Sequence, residues 1–232
     1  MLLEICANSY QSAVNAQEAG AHRIELCSEL SLGGITPSYG LIKQGVTALS
    51  IPMYVLIRPR SGNFDYSDDE FEVMKRDIQV CKDLGVQGIV SGVLKEDNTI
   101  DVKRTQTLVE WAYPLPFTYH RAFDCVPNPK EALEVLINLG VNRVLTSGQQ
   151  TKAIDGIQLL SKMKELAGNK VVILAGGGIN PENAADFKKA GFDEIHASAS
   201  KLVRNAASEY FGNTPQTVSD LKTIQNILNA IQ

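Results

Sequence analysis

Ala19-Gly20-Ala21-His22-Arg23-Ile24, Leu84-Gly85-Val86-Gln87-Gly88-Ile89, Leu139-Gly140-Val141-Asn142-Arg143-Val144 and Ala190-Gly191-Phe192-Asp193-Glu194-Ile195 share one grammar. In each, a helical pattern ends at glycine and a short β-branched run follows at once. Glycine just beyond the last helical turn is the usual left-handed cap, so each match predicts a helix-to-strand junction. The junctions recur at intervals of about 50–65 residues, too long for one strand and one helix but right for two such pairs. The intervening strands are Pro52–Ile57, Leu115–His120 and Lys170–Ala175, and Leu2–Cys6 forms one more at the front. Stretches of helical spacing separate them, for example Phe71, Met74, Ile78 and Cys81, or Ala132, Leu133, Leu136 and Leu139.

Eight alternating strand and helix units without a linker predict parallel strands in one sheet. A doubly wound open sheet is the alternative. Eight units in 232 residues favour an α/β fold of the single-domain (β/α)₈ TIM-barrel type, spanning residues 1–232. Val218, Leu221, Ile224, Ile227 and Leu228 predict a closing C-terminal helix over about 215–231. The segment Cys6-Ala7-Asn8-Ser9-Tyr10 after the first strand holds no glycine, so no nucleotide cofactor is expected.

Composition narrows the class. The chain is 44% hydrophobic and 21% charged with a formal net charge of −4, which excludes a disordered, collagen-like or broadly nucleic-acid-binding protein. No run reaches the roughly 18 apolar residues of a membrane helix, and the start has neither a basic leader nor a cleavage site, so a cytoplasmic location is expected. Four widely spaced cysteines read as reduced thiols rather than a disulfide scaffold.

Active sites of such barrels lie at the carboxyl ends of the strands. In the first strand Leu3 and Ile5 alternate with Glu4 and Cys6, and in the second Ile24 and Leu26 alternate with Glu25 and Cys27. If the aliphatic side packs on the helices, two copies of Glu-x-Cys enter the lumen side by side. Paired thiolates select a soft cation such as Cu(I) or zinc, although a buried free cysteine needs no ligand. Carboxylates directed into a barrel need a partner or a task, which makes Glu4 and Glu25 candidates for proton transfer. The fifth strand delivers His120, Arg121 and Asp124, an imidazole with a carboxylate to orient it; alternatively His120 is a core histidine and Arg121 a partner for Glu4 or Glu25. His196 on the eighth strand is expected in the same lumen.

Several features point to an anion. Arg58 lies in a basic loop long enough to fold over the mouth, and Ser67 with Glu70 reads as a capping box beyond it. Gly176, Gly177 and Gly178 follow the seventh strand, Ser198 follows the eighth and Ser147 the sixth. Loops seven and eight bind phosphate in many barrels, and glycine lets backbone amides approach closely. A tight turn that needs glycine only for its backbone angles is the competing reading.

Leu3-Glu4-Ile5-Cys6, Arg23-Ile24-Glu25-Leu26-Cys27, Gly33-Gly34-Ile35-Thr36-Pro37-Ser38, Ile57-Arg58-Pro59-Arg60, His120-Arg121-Ala122-Phe123-Asp124, Arg143-Val144-Leu145-Thr146-Ser147-Gly148 and the glycine triplet together resemble the CutC copper-homeostasis family, from Leu2 to about Ser200. The resemblance implies a TIM barrel, a cytoplasmic role in copper homeostasis, assembly as a homodimer or larger oligomer, and Cys6 and Cys27 as copper ligands. Against this stands an enzyme reading. An isomerase, lyase or aldolase-like barrel would hold a small phosphorylated or carboxylated metabolite with Arg58, Arg121, Ser147, Gly176, Gly177, Gly178, His196 and Ser198, and move protons with Glu4, Glu25, His120 and Asp124. Neither reading calls for nucleic acid or a membrane as partner.

Overall fold

The structure, a computed structural model, describes residues 1–208 and 212–232. Eight parallel strands close into a barrel in sequence order: β1 (Leu2–Ala7), β2 (Arg23–Leu26), β3 (Met53–Leu56), β4 (Gly88–Ser91), β5 (Phe117–Tyr119), β6 (Arg143–Thr146), β7 (Val172–Gly176) and β8 (Glu194–Ala197). The barrel shuts where β8 pairs with β1, Glu4 opposite His196. Helices α1 (Tyr10–Ala19), α2 (Tyr39–Ala48), α3 (Asp68–Leu84), α4 (Val102–Ala112), α5 (Pro129–Asn138), α6 (Ile157–Ala167) and α7 (Ala184–Lys189) connect successive strands. All four junction glycines adopt the left-handed backbone, with φ between 75° and 87°, and at Gly20 the amide closes α1 on the carbonyls of Ala16 and Gln17.

The alternation sorts each strand's side chains into two cores. Leu3, Ile5, Ile24 and Leu26 belong to the large cluster between strands and helices, each fully buried. At about 1.5–3 kcal/mol per buried aliphatic side chain, that layer fixes the register of the sheet. Cys6, Cys27, Tyr54, Leu56 and Val90 form a separate cluster inside the barrel, so the Glu-x-Cys face does turn into the lumen.

The end of the chain departs from the expected helix over 215–231. Residues 215–219 belong instead to a strand, β10 (Gly212–Ser219), paired antiparallel with β9 (Ser200–Ser208). Helix α8 (Leu221–Ala230) begins only after Asp220, whose carboxylate accepts from Thr223 N at 3.0 Å. Two local forces outweigh the apolar spacing of Val218: β-branched Thr217 and Val218 suit an extended backbone, and Asp220 is a strong helix cap. The ribbon is tied down by α1 and the turn before it, since Asn15 Nδ2 on the helix donates to Ser219 O at 2.8 Å and Asn8 Nδ2 in the turn to Thr217 O at 3.2 Å.

One close backbone approach positions the mouth. A Cβ on Gly156 would stand 2.1 Å from Ser147 O and 3.0 Å from Gly148 Cα, and backbone atoms cannot yield as a side-chain end can. Gly156→Ala is therefore expected to cost at least about 1–3 kcal/mol by prising the β6 loop off α6. Denaturant melts of the two proteins check this; an unchanged midpoint would refute the packing argument.

Candidate functional site

The lumen is filled from the bottom by charge. Arg23 Nε donates to Glu4 Oε2 and its Nη2 to Glu194 Oε2 at 2.6 Å, while Arg143 Nε donates to the same Glu194 oxygen at 2.9 Å. Tyr54 lies beneath both guanidiniums, and its hydroxyl accepts from Arg143 Nη1. Glu4, fully buried, thus has Arg23 and His196 as partners rather than Arg121. Burial alone would raise its carboxyl, yet the hydrogen bond with His196 and the Arg23 charge hold it down at about 2.

Above this layer sit the thiols. Cys6 Sγ lies 3.6 Å from Cys27 Sγ and 3.9 Å from Glu25 Oε1. His196 Nδ1 is 2.7 Å from Glu4 Oε1, so the carboxylate occupies one ring nitrogen and leaves Nε2 for the Cys6 side. One ligand atom each from Cys6, Glu25 and His196 falls within 4.8 Å of the others, a spacing that suits a single cation. The contact with Cys27 and then burial push the Cys6 thiol well above its ordinary range. Burial raises Glu25 to about 7. For His196 burial works against protonation but is outweighed by Cys6, Glu4 and the Glu25 charge, so its pKa lies well above the usual value.

A cavity of about 470 Å³ opens over these groups to the carboxyl ends of the strands. His120 and Arg58 are both 5% exposed and form part of its wall. His120 Nδ1 accepts from Ala122 N at 3.2 Å, which leaves the proton on Nε2. Burial, reinforced by the Arg58 charge, lowers its pKa to about 3. Arg58 spends its two terminal nitrogens on the carbonyls of Leu32, Gly34 and Gly62, pinning the loops over the barrel. Arg60 turns away to Glu70, and Ser67 and Glu70 form the expected capping box.

Three expected site residues are tied into the framework. Asp124 does not orient His120; it accepts from Arg121 Nε, Ser147 N, Gln149 N and Thr146 Oγ1, buckling the turn after β5 to the β6 loop. Ser147 is fully buried, accepts from Arg121 Nη2 at 2.8 Å and lies 2.5 Å from Gln150 O, so its hydroxyl is committed inside the protein. Gly176 is a packing glycine, because a Cβ there would meet Leu145 Cδ1 at 2.5 Å and His196 Cβ at 3.1 Å. Gly177, Gly178, Ser198, His196 and Arg121 line the cavity, and Asp124 does so as well. The sequence reading had no role for Arg23, Arg143 and Tyr54. The signal was the same alternation that exposed Glu25: Arg23 is two residues before it on the strand.

Residues 1–201 match the family model described as the CutC family. The chain belongs to the CutC family. A human relative, named a copper homeostasis protein cutC homolog, is 47% identical over 199 residues, covering 85% of this chain and 73% of its own. A Chromobacterium violaceum family protein CutC is 45% identical over 206 residues, covering 88% and 83%. The crystal structure of CutC from Streptococcus agalactiae superposes with a TM-score of 0.81 at 34% identity, over 85% of this chain and 98% of that one. In this CutC chain no described helix is long and apolar enough to cross a membrane.

Proposed function

We propose that this CutC protein binds Cu(I) in the cytoplasm through Cys6 and Cys27, as part of copper homeostasis and as a homodimer or larger assembly. The observation that carries the reading is the pair of buried thiol sulfurs 3.6 Å apart beside an imidazole anchored by a carboxylate. Soft sulfur donors select Cu(I) over the abundant hard cations. Cys6 and Cys27 would hold the ion between them, and His196, whose ring nitrogen falls in the same cluster of candidate ligand atoms as Cys6, is the group at hand to add to them. Glu4 holding the other nitrogen is the carboxylate–histidine arrangement that fixes a ligating ring. Both thiols must lose protons on binding, so uptake releases protons and weakens as pH falls.

The test is an anaerobic Cu(I) titration against a competing chelator, wild type beside the Cys6→Ser, Cys27→Ser double variant. Loss of even a supporting partner typically costs 10–100-fold in metal affinity, so removal of both thiolates is expected to exceed about a hundredfold. Equal affinities would refute the assignment.

A further inference from the structure

Four groups of the cavity wall play no part in holding copper, and all four are hydrogen-bond donors. His120 Nε2 and Arg58 Nε are buried polar atoms with no partner among the described residues. Buried donors are almost always satisfied, so two exceptions on side chains of one cavity wall need an explanation, and a bound group is one that meets both. The other two belong to the opposite side of the mouth. Gly177 O accepts from Ala153 N at 2.8 Å, and Ala153 is not part of the cavity wall. In a trans peptide the carbonyl and the following N–H point in opposite directions, so Gly178 N–H is turned away from Ala153, and Gly178 lines the cavity. Arg121 engages Asp124 through Nε and Ser147 through Nη2. Its Nη1 is left against Gly177, where a Cβ would stand 3.5 Å from it. Among the described residues, Glu25 Oε2 is a buried side-chain acceptor of this wall without a partner.

We infer that this cavity binds a small oxygen-rich anionic metabolite, a phosphate ester or a carboxylate. Its anionic group rests on Gly178 N–H and Arg121 Nη1, further oxygens accept from His120 Nε2 and Arg58 Nε, and a hydroxyl donates to Glu25. Two guanidiniums and an imidazole N–H beside apolar Leu30, Leu56, Phe64 and Leu145 suit a small anion with a carbon skeleton, and the Asp124 carboxylate on the same wall is already engaged by Arg121 and the β6 loop. The volume, about 470 Å³, is that of a metabolite site rather than of a bare ion. A positive φ at Gly177 (113°) and at Gly178 (72°) gives the backbone the turn that presents this amide. Its donors are distinct from the thiols and His196, and the one group it shares with the candidate cation cluster is Glu25.

Amide spectra of the metal-free, ¹⁵N-labelled protein test it without any substitution, with inorganic phosphate titrated in one arm and lactate in the other. Saturable shifts of the Gly177 and Gly178 amides are expected, in the phosphate arm for a phosphate ester and in the lactate arm for a carboxylate. Arg121→Met should weaken that binding by about tenfold, the worth of one hydrogen bond to a charged group. Absence of saturable shifts at both glycines in both arms would overturn the proposal, as would unchanged affinity in a folded Arg121→Met protein. If that variant does not fold, the wild-type glycine amides decide alone. The Cys6→Ser, Cys27→Ser protein, run in parallel, should keep the anion response whatever becomes of its copper affinity.

Discussion

Replacing Arg23 with methionine is expected to cost about 3–5 kcal/mol, the range for breaking a buried ion pair by removing one partner. Arg23 is 4% exposed and bridges two carboxylates, Glu4 on β1 and Glu194 on β8. Its loss leaves Glu194 on Arg143 alone and Glu4 on His196 alone. The apolar stem of methionine fills part of the space above Tyr54, so the penalty is electrostatic more than a cavity effect. A second substitution separates the two. Arg23→Met combined with Glu4→Gln should recover part of the loss, because glutamine still accepts from His196 yet carries no charge to strand. Urea unfolding of both singles and the double gives the coupling energy directly. A single variant that costs less than about 1 kcal/mol, or strictly additive effects, would show that the bridge does not hold the barrel floor together.

That floor also explains what could be read in advance. The barrel was legible because its signals are local and repeated: the glycine caps at Gly20, Gly85, Gly140 and Gly191 each mark a junction without reference to the rest of the chain. The lumenal faces of β1 and β2 followed from alternation, which is a property of one strand at a time. Partnership inside the lumen is different, because it is set by the stagger between strands. Arg23 meets Glu4 because the two are paired in register across β1 and β2, and it reaches Glu194 from across the closure. Nothing in either strand alone states that. Asp124 shows the same limit. Its place four residues after His120 reads as a catalytic pairing, but the chain turns through a 3₁₀ segment at 121–125 and delivers the carboxylate to the backbone of the β6 loop. The ribbon of β9 and β10 was missed for a third reason, since its anchors Asn8, Ser12 and Asn15 lie some two hundred residues away from it in sequence.

Lowering the pH from 7 to 5 is expected to take about 2 kcal/mol more from the wild type than from a His120→Asn variant. The sign follows from the two states of the histidine. Unfolded, it takes a proton near the ordinary 6.5; folded, burial and the neighbouring Arg58 charge hold its pKa to about 3. Protons therefore bind the unfolded chain preferentially across this window. The stability present above about 6.5 is lost progressively as the pH falls toward 3. Glu25 acts in the opposite sense, because burial raises its carboxyl to about 7 and the folded state keeps the proton that the unfolded chain gives up near 4.5. The wild-type profile alone can thus look flat, and the difference between the two proteins is the quantity to measure. Asparagine suits the comparison: its side-chain oxygen can accept from Ala122 N as Nδ1 does, and it does not titrate. Loss of the ring contact with Phe64, 4.9 Å between centroids, adds a cost that does not vary with pH. A wild-type-minus-variant difference that stays constant from pH 7 to 5 would mean that His120 charges freely in the folded protein. It would then present a cation to the cavity, not the neutral N–H donor on which an uncharged oxygen of the ligand is to rest.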